Sequence, residues 1–321
     1  MTERKRSFLS ADKKTKIHVT EWMPEDGECR AILQITHGMQ EYIDRYRTFA
    51  EYLTAQGIGV AGHDHLGHGD SVCLAEDYGY IAEKHPGDIL VHDMHTLRRK
   101  MQKEHKGVPY FMLGHSMGSY LLRRYIAHYG EGLQGVLLVG TGSMPDISML
   151  TGMALCRVLA AVNGWHYKSP FIKRLSFAGP YRQYDVTGKN LARNWLTGDL
   201  AIAEAYYRDP KCRFDFTING YYALMESVYL DNRPNYIRRI PKDLPVYLLS
   251  GGSDPVGNMG KGVCKVYRQY CRAGLQNVQI RLYEEARHEL LNETMRQDVF
   301  REIVRWMSEQ MKSESKEQSR K

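Results

Sequence analysis

Ser116 stands in the run Gly114-His115-Ser116-Met117-Gly118. An apolar stretch, Val108 to Leu113, precedes it, and a helical pattern, Ser119 to Tyr129, follows. A serine at a sharp turn between a buried strand and a helix presents its hydroxyl outward, the G-x-S-x-G arrangement of a nucleophile. Free backbone N–H groups at the start of the helix favour developing negative charge there. Glycines flank the serine because such a turn leaves no room for side chains. The pentapeptide alone also fits a plain strand-to-helix turn; the flanking elements favour the nucleophile.

A serine hydroxyl needs a base at neutral pH. Of thirteen histidines, His288 alone lies beyond the long irregular middle of the chain, and it follows the last strand-like run. The histidine in turn needs a carboxylate to fix its tautomer. Asp254 follows the run Val246 to Ser250, in Gly251-Gly252-Ser253-Asp254-Pro255-Val256. Asp243 competes, but it precedes its strand and so falls at the wrong end of a parallel sheet. An oxyanion hole needs two backbone donors. Met117, after the nucleophile, supplies one; Met39, in the loop after the run Ala31 to Thr36, supplies the other, with Gly38 allowing close approach.

His63-Asp64-His65-Leu66-Gly67-His68 has the H-x-H-x-x-H spacing of a metal cluster. A zinc hydrolase run of this kind carries an aspartate where this chain has Gly67, and no downstream ligands appear at clear spacing. The run reads better as a strand-to-helix loop, with no metal expected.

These residues require strands that end on one side. The runs Lys16–Trp22, Ala31–Thr36, Ile58–Gly62, Tyr110–Leu113, Val136–Val139, Val246–Ser250 and Val278–Tyr283 alternate with helical patterns such as Tyr46–Gln56 and Asp88–Glu104. Runs without polar alternation, separated by helices, predict a mostly parallel sheet flanked by helices on both faces. The rhythm breaks from 143 to 240, where an apolar helical pattern, Met149 to Trp165, and many tyrosines predict a helical cap insertion. The division is thus a core over 1–142 and 241–311, a cap over 143–240, and a charged tail over 312–321 expected to be disordered.

The chain has 321 residues, 43% hydrophobic and 25% charged, with a formal charge of +7. This is ordinary for a soluble globular protein. No apolar run reaches the roughly 20 residues of a membrane span, and no signal-like core follows the charged N-terminus, so the reading is cytoplasmic. Six scattered cysteines form no C-x-x-C pair and read as reduced thiols. No nucleic-acid motif accompanies the basic residues. Their charge reads as a solvated surface, with attraction of anionic substrates or lipid surfaces the lesser alternative.

With these residues in place, the chain resembles the α/β-hydrolase superfamily, in its monoacylglycerol lipase and lysophospholipase branch. His37-Gly38-Met39-Gln40-Glu41-Tyr42-Ile43-Asp44-Arg45-Tyr46 resembles the branch's H-G-x-G-E-H-x-x-R-Y segment. Asp64-His65-Leu66-Gly67-His68-Gly69-Asp70-Ser71 resembles its D-x-x-G-H-G-x-S loop, and 114–118 its G-H-S-M-G turn. Gln40 and Tyr42 depart from the usual glycine and histidine. The resemblance implies the α/β-hydrolase fold, hydrolysis of a fatty-acid glycerol ester or lysophospholipid through an acyl-enzyme, and no cofactor. It implies a cap forming an acyl channel, for which Gly38, His115, Leu150, Met153 and Val158 are the candidate substrate contacts, and a cap surface for transient membrane contact. A small-ester esterase, an acyltransferase, an aminopeptidase-like hydrolase and a non-catalytic relative are the alternatives; oligomeric state stays open.

Overall fold

The computed structural model describes residues 1–25 and 27–318, with side chains to 312. Eight strands form one sheet: β1 (Thr2–Leu9), β2 (Lys16–Met23), β3 (Ala31–Thr36), β4 (Ile58–His63), β5 (Tyr110–His115), β6 (Gly135–Val139), β7 (Val246–Gly251) and β8 (Val278–Tyr283). Their order is β1-β2-β4-β3-β5-β6-β7-β8. β2 pairs antiparallel with both β1 and β4, and from β4 to β8 every pairing is parallel. The sheet is thus mostly parallel, as the strand pattern predicts, and has the form that the resemblance implies.

Alternation divides each central strand between two cores. On β5, Tyr110 and Met112 face one cluster while Phe111 and Leu113 face the other. On β7, Val246 and Leu248 oppose Tyr247 and Leu249 in the same way. Helices α1 (Arg47–Thr54), α2 (Pro86–Glu104) and α3 (Met117–Tyr129) precede β6 or the cap region. Phe49 and Leu53 of α1 cover one face, and Leu97 of α2 and Leu121 of α3 cover the other.

Between β6 and β7 lie α4 (Asp146–Asn163), α5 (Pro170–Ser176), α6 (Leu200–Arg208), α7 (Ile218–Asp231) and α8 (Pro234–Ile237). α4 is long and apolar enough to cross a membrane, with mean hydropathy 1.3 over 18 residues. It packs instead along α7, where Gly152 approaches Met225. After the cap region come α9 (Lys261–Arg272) and α10 (Arg296–Gln318).

Two elements differ from the sequence expectation. The sequence reading places no strand in the charged N-terminus with Arg4, Lys5 and Arg6, but β1 forms there as an edge strand, where charges suit the open side. α10 continues to Gln318 through most of the charged tail expected to be disordered. Its lysines, glutamates and glutamine are good helix formers; 319–321 lie outside the described residues.

Candidate active site

The three sequence-chosen side chains come from three parallel strand ends. β5 ends at His115 and α3 begins at Met117, leaving Ser116 alone at the turn with φ 52° and ψ −120°. That left-handed backbone costs a non-glycine residue about 1–3 kcal/mol. Close packing holds it there. A Cβ added at Gly114 would meet the Gly118 carbonyl at 2.5 Å, and one at Gly118 would meet the Thr36 carbonyl at 2.1 Å.

Asp254 follows β7 and is fully buried. Its Oδ2 accepts from His288 Nδ1 at 3.0 Å, and its Oδ1 accepts from the Val256 amide at 2.8 Å. The His288 ring lies between Trp195, with ring centres 5.0 Å apart, and His115, at 4.7 Å. Its Nε2 is buried and, among the described residues, makes no hydrogen bond. Asp243 is exposed and precedes β7.

Ser116, His288, Met39 and Met117 border one cavity of about 470 Å³. Met117 is the first residue of α3, so its amide has no acceptor within the helix. Gly38 brings the preceding loop against the turn; a Cβ there would lie 2.9 Å from the Ser116 Cβ. His115 borders the cavity as well.

The remaining wall is mostly apolar and comes from the cap region: Met144, Met149, Leu175, Leu224, Met225 and Val228. Of the expected contacts, Gly38, Leu150, Met153 and Val158 are not on the cavity wall. Leu150 is 43% and Val158 63% exposed, whereas Met153 is buried. α4 is apolar almost all round, so helical spacing alone does not say which face turns inward. Ser148, Met149, Thr151 and Gly152 occupy that face.

The departures at Gln40 and Tyr42 also become intelligible. Gln40 holds φ 58°, a conformation natural to glycine, and its side-chain amide donates to the Phe214 carbonyl. Tyr42 OH donates to Asp209 Oδ2 at 2.8 Å. Both residues tie the loop to the segment just before α7.

Sequence reasoning assigned no role to three charged residues beside this machinery. Glu41 and Glu289 border the cavity, and Arg45 joins them with hydrogen bonds of 2.8 to 3.0 Å. Burial pushes the Glu41 carboxyl up, but the charge and hydrogen bond of His115 and the charge of Arg45 outweigh it and hold it ionised. Burial likewise opposes ionisation of Glu289, and Arg45 overcomes it. For His115 burial favours the neutral ring, but Glu41 prevails and raises its pKa. The available signal was a glutamate and an arginine four apart in a loop that must be buried.

The histidine run is packed rather than convergent. His63, His65 and His68 are fully buried and meet edge to face, at 4.9 Å and 6.3 Å between ring centres. Among the described residues the grouping of donors able to hold a metal is His18, Asp64 and Asp70. There Asp64 already accepts from the amides of Ile43 and Asp70, and Asp70 pairs with Lys211.

Comparison with known proteins adds family evidence. The family model described as "Serine aminopeptidase, S33" matches residues 27–295. Monoglyceride lipase of Homo sapiens is 28% identical over 292 residues, spanning 90% of this chain and 85% of that protein. A thermostable carboxyl esterase from Bacillus coagulans, solved in complex with glycerol, superposes with TM-score 0.86 at 26% identity, covering 96% of this chain and 98% of that one. A soluble variant of the Saccharomyces cerevisiae monoglyceride lipase, with a substrate analog, shares the fold at TM-score 0.73 and 22% identity, covering 96% and 94%.

Proposed function

The chain belongs to the serine aminopeptidase S33 family of α/β hydrolases, and from that membership we propose that it is a serine hydrolase of lipid esters, with monoacylglycerols or lysophospholipids as substrates. One observation carries the reading. Ser116, held at a strained turn, and His288, held on Asp254, wall the same apolar cavity as Met39 and Met117.

The chemistry follows from these positions. Asp254 accepts the Nδ1 proton of His288, which leaves Nε2 as the basic nitrogen. Nε2 takes the Ser116 proton as Oγ attacks the ester carbonyl. The Met39 and Met117 amides receive the oxyanion. His288 then gives its proton to the departing alcohol, and Ser116 keeps the acyl group. Water, deprotonated by His288, attacks the acyl-enzyme and releases the fatty acid. The acyl chain occupies the space lined by Met149, Leu224 and Met225.

The outer side of α4 exposes Ile147, Val158 and Val162, at 67%, 63% and 81%. An apolar patch of this kind suits transient contact with a lipid surface. Aminopeptidase activity is disfavoured by charge. It requires a carboxylate free to bind a substrate ammonium, and among the described residues the carboxylates on the cavity, Glu41 and Glu289, are both already hydrogen-bonded by Arg45.

Turnover of monoacylglycerols, lysophospholipids, nitrophenyl acetate and aminoacyl amides, measured side by side, tests this. We expect the long-chain esters to show the highest kcat/KM and the amides none above background. Preferential amide cleavage would overturn the reading.

A further inference from the structure

Glu41 sits where three working loops meet. Its Oε1 accepts three hydrogen bonds: from the Gly38 amide at 2.5 Å, from His115 Nδ1 at 2.9 Å and from Tyr46 OH at 3.0 Å. Its Oε2 accepts from Arg45 at 3.0 Å. Arg45 donates two further bonds of 2.8 Å to the two oxygens of Glu289, the residue after His288. The side chains of Glu41, Arg45, His115 and Glu289 are exposed by only 3%, 10%, 6% and 5%.

Such a network is an unusual way to gain stability. Removing three charged groups and a histidine from water is costly, and well-packed apolar residues commonly do as well or better. What it supplies is position. Gly38 immediately precedes Met39, and His115 immediately precedes Ser116 and Met117. One carboxylate oxygen therefore holds both segments that carry the oxyanion donors.

We propose that Glu41 is a positioning residue that clamps the Gly38–Met39 loop to the His115–Met117 turn, fixing the separation of the two oxyanion amides, while Arg45 extends the clamp through Glu289 to the histidine loop. The catalytic consequence rests on the function proposed above; the clamp itself does not. Oxyanion donors must sit about 2.7–3.1 Å from the developing charge. The substrate's acyl chain is bound elsewhere, by the cap side of the cavity. Loosening the clamp should therefore cost rate rather than binding.

Glu41→Gln tests this with little change of shape. With its oxygen in the Oε1 place the glutamine keeps only uncharged, weaker bonds to Gly38, His115 and Tyr46 and turns its nitrogen's hydrogens on Arg45; with its nitrogen there, Gly38, His115 and Tyr46 all lose their acceptor. Two readouts apply. Hydrogen exchange of backbone amides in 37–42 and 114–118 should rise about tenfold, with α9 unchanged. With a nitrophenyl butyrate substrate, kcat should fall about 30- to 100-fold while KM stays within about twofold. Unchanged exchange in both segments would overturn the proposal. So would a uniform rise across the protein with a lower melting temperature, or a loss carried by KM.

If Glu41→Gln fails to fold, Tyr46→Phe deletes one bond to the same oxygen and keeps every charge. The expected rise is then about threefold in the same two segments, and no rise there overturns the clamp. Ester turnover by the wild type bears on the proposed function; the exchange measurement decides the clamp whether or not turnover is found.

Discussion

His288 Nδ1 lies 3.0 Å from Asp254 Oδ2, and the other oxygen of that carboxylate is held by the Val256 amide at 2.8 Å. The carboxylate is thus fixed at both ends, and the imidazole has one orientation available at its buried site. Asp254→Asn keeps the shape but allows the wrong ring tautomer. We expect kcat on nitrophenyl acetate to fall by about four orders of magnitude. Asp243→Asn, exposed and before β7, should change it less than about threefold. Reversed effects would reassign the acid.

Met149 and Leu150 are adjacent on α4 but differ in setting: Met149 borders the cavity at 9% exposure and Leu150 faces outward at 43%. Met149→Ser should lower kcat/KM for long-chain monoacylglycerols about five- to tenfold more than for nitrophenyl acetate, since each buried methylene contributes about 0.8 kcal/mol. Leu150→Ser should leave that ratio unchanged. Selectivity that changed with Leu150 and not with Met149 would mean that α4 turns a different face to substrate.

The buried histidines carry a pH signature. Burial lowers His63 to about 3 and His68 to about 4; burial, then the charge of His68, lowers His37 to about 3; burial holds His65 well below its usual value. Each group binds its proton more readily when unfolded. Its stabilising contribution is therefore full above about pH 6.5 and is lost as pH falls from there toward the folded value, by about 1.4 kcal/mol per pH unit. Asp64, Asp93 and Asp231, pushed up to about 7 by burial, act in the opposite sense over the same range. The clean measure is a difference between proteins. His63 packs near Phe8, and neither ring nitrogen has a partner among the described residues. The stability of His63→Phe relative to wild type, from urea unfolding, should improve by about 2 kcal/mol between pH 7 and pH 5. A difference independent of pH would contradict it.

The parallel core was legible because its strands are buried on both faces and carry unbroken apolar runs, as at Tyr110–Leu113 and Val136–Val139. The positions of Ser116, Asp254 and His288 followed from that, since each lies just beyond a strand end. β1 was hidden by Arg4, Lys5 and Arg6, which an edge strand tolerates. The inward face of α4 was not legible either. Ile147, Leu150, Val158 and Val162 are as apolar as the residues that line the cavity, so composition does not separate an inner from an outer face. The Glu41–Arg45–Glu289 network joins residues 244 positions apart, and only the folded chain brings them together.

The central claim is that Ser116 becomes acylated. Wild-type protein mixed with a nitrophenyl ester, quenched in acid within milliseconds and digested, should yield one acylated peptide with the adduct on Ser116. Ser116→Ala should yield none and should release nitrophenol at the background rate with its melting temperature unchanged. An adduct on another residue, or full turnover by Ser116→Ala, would contradict the account.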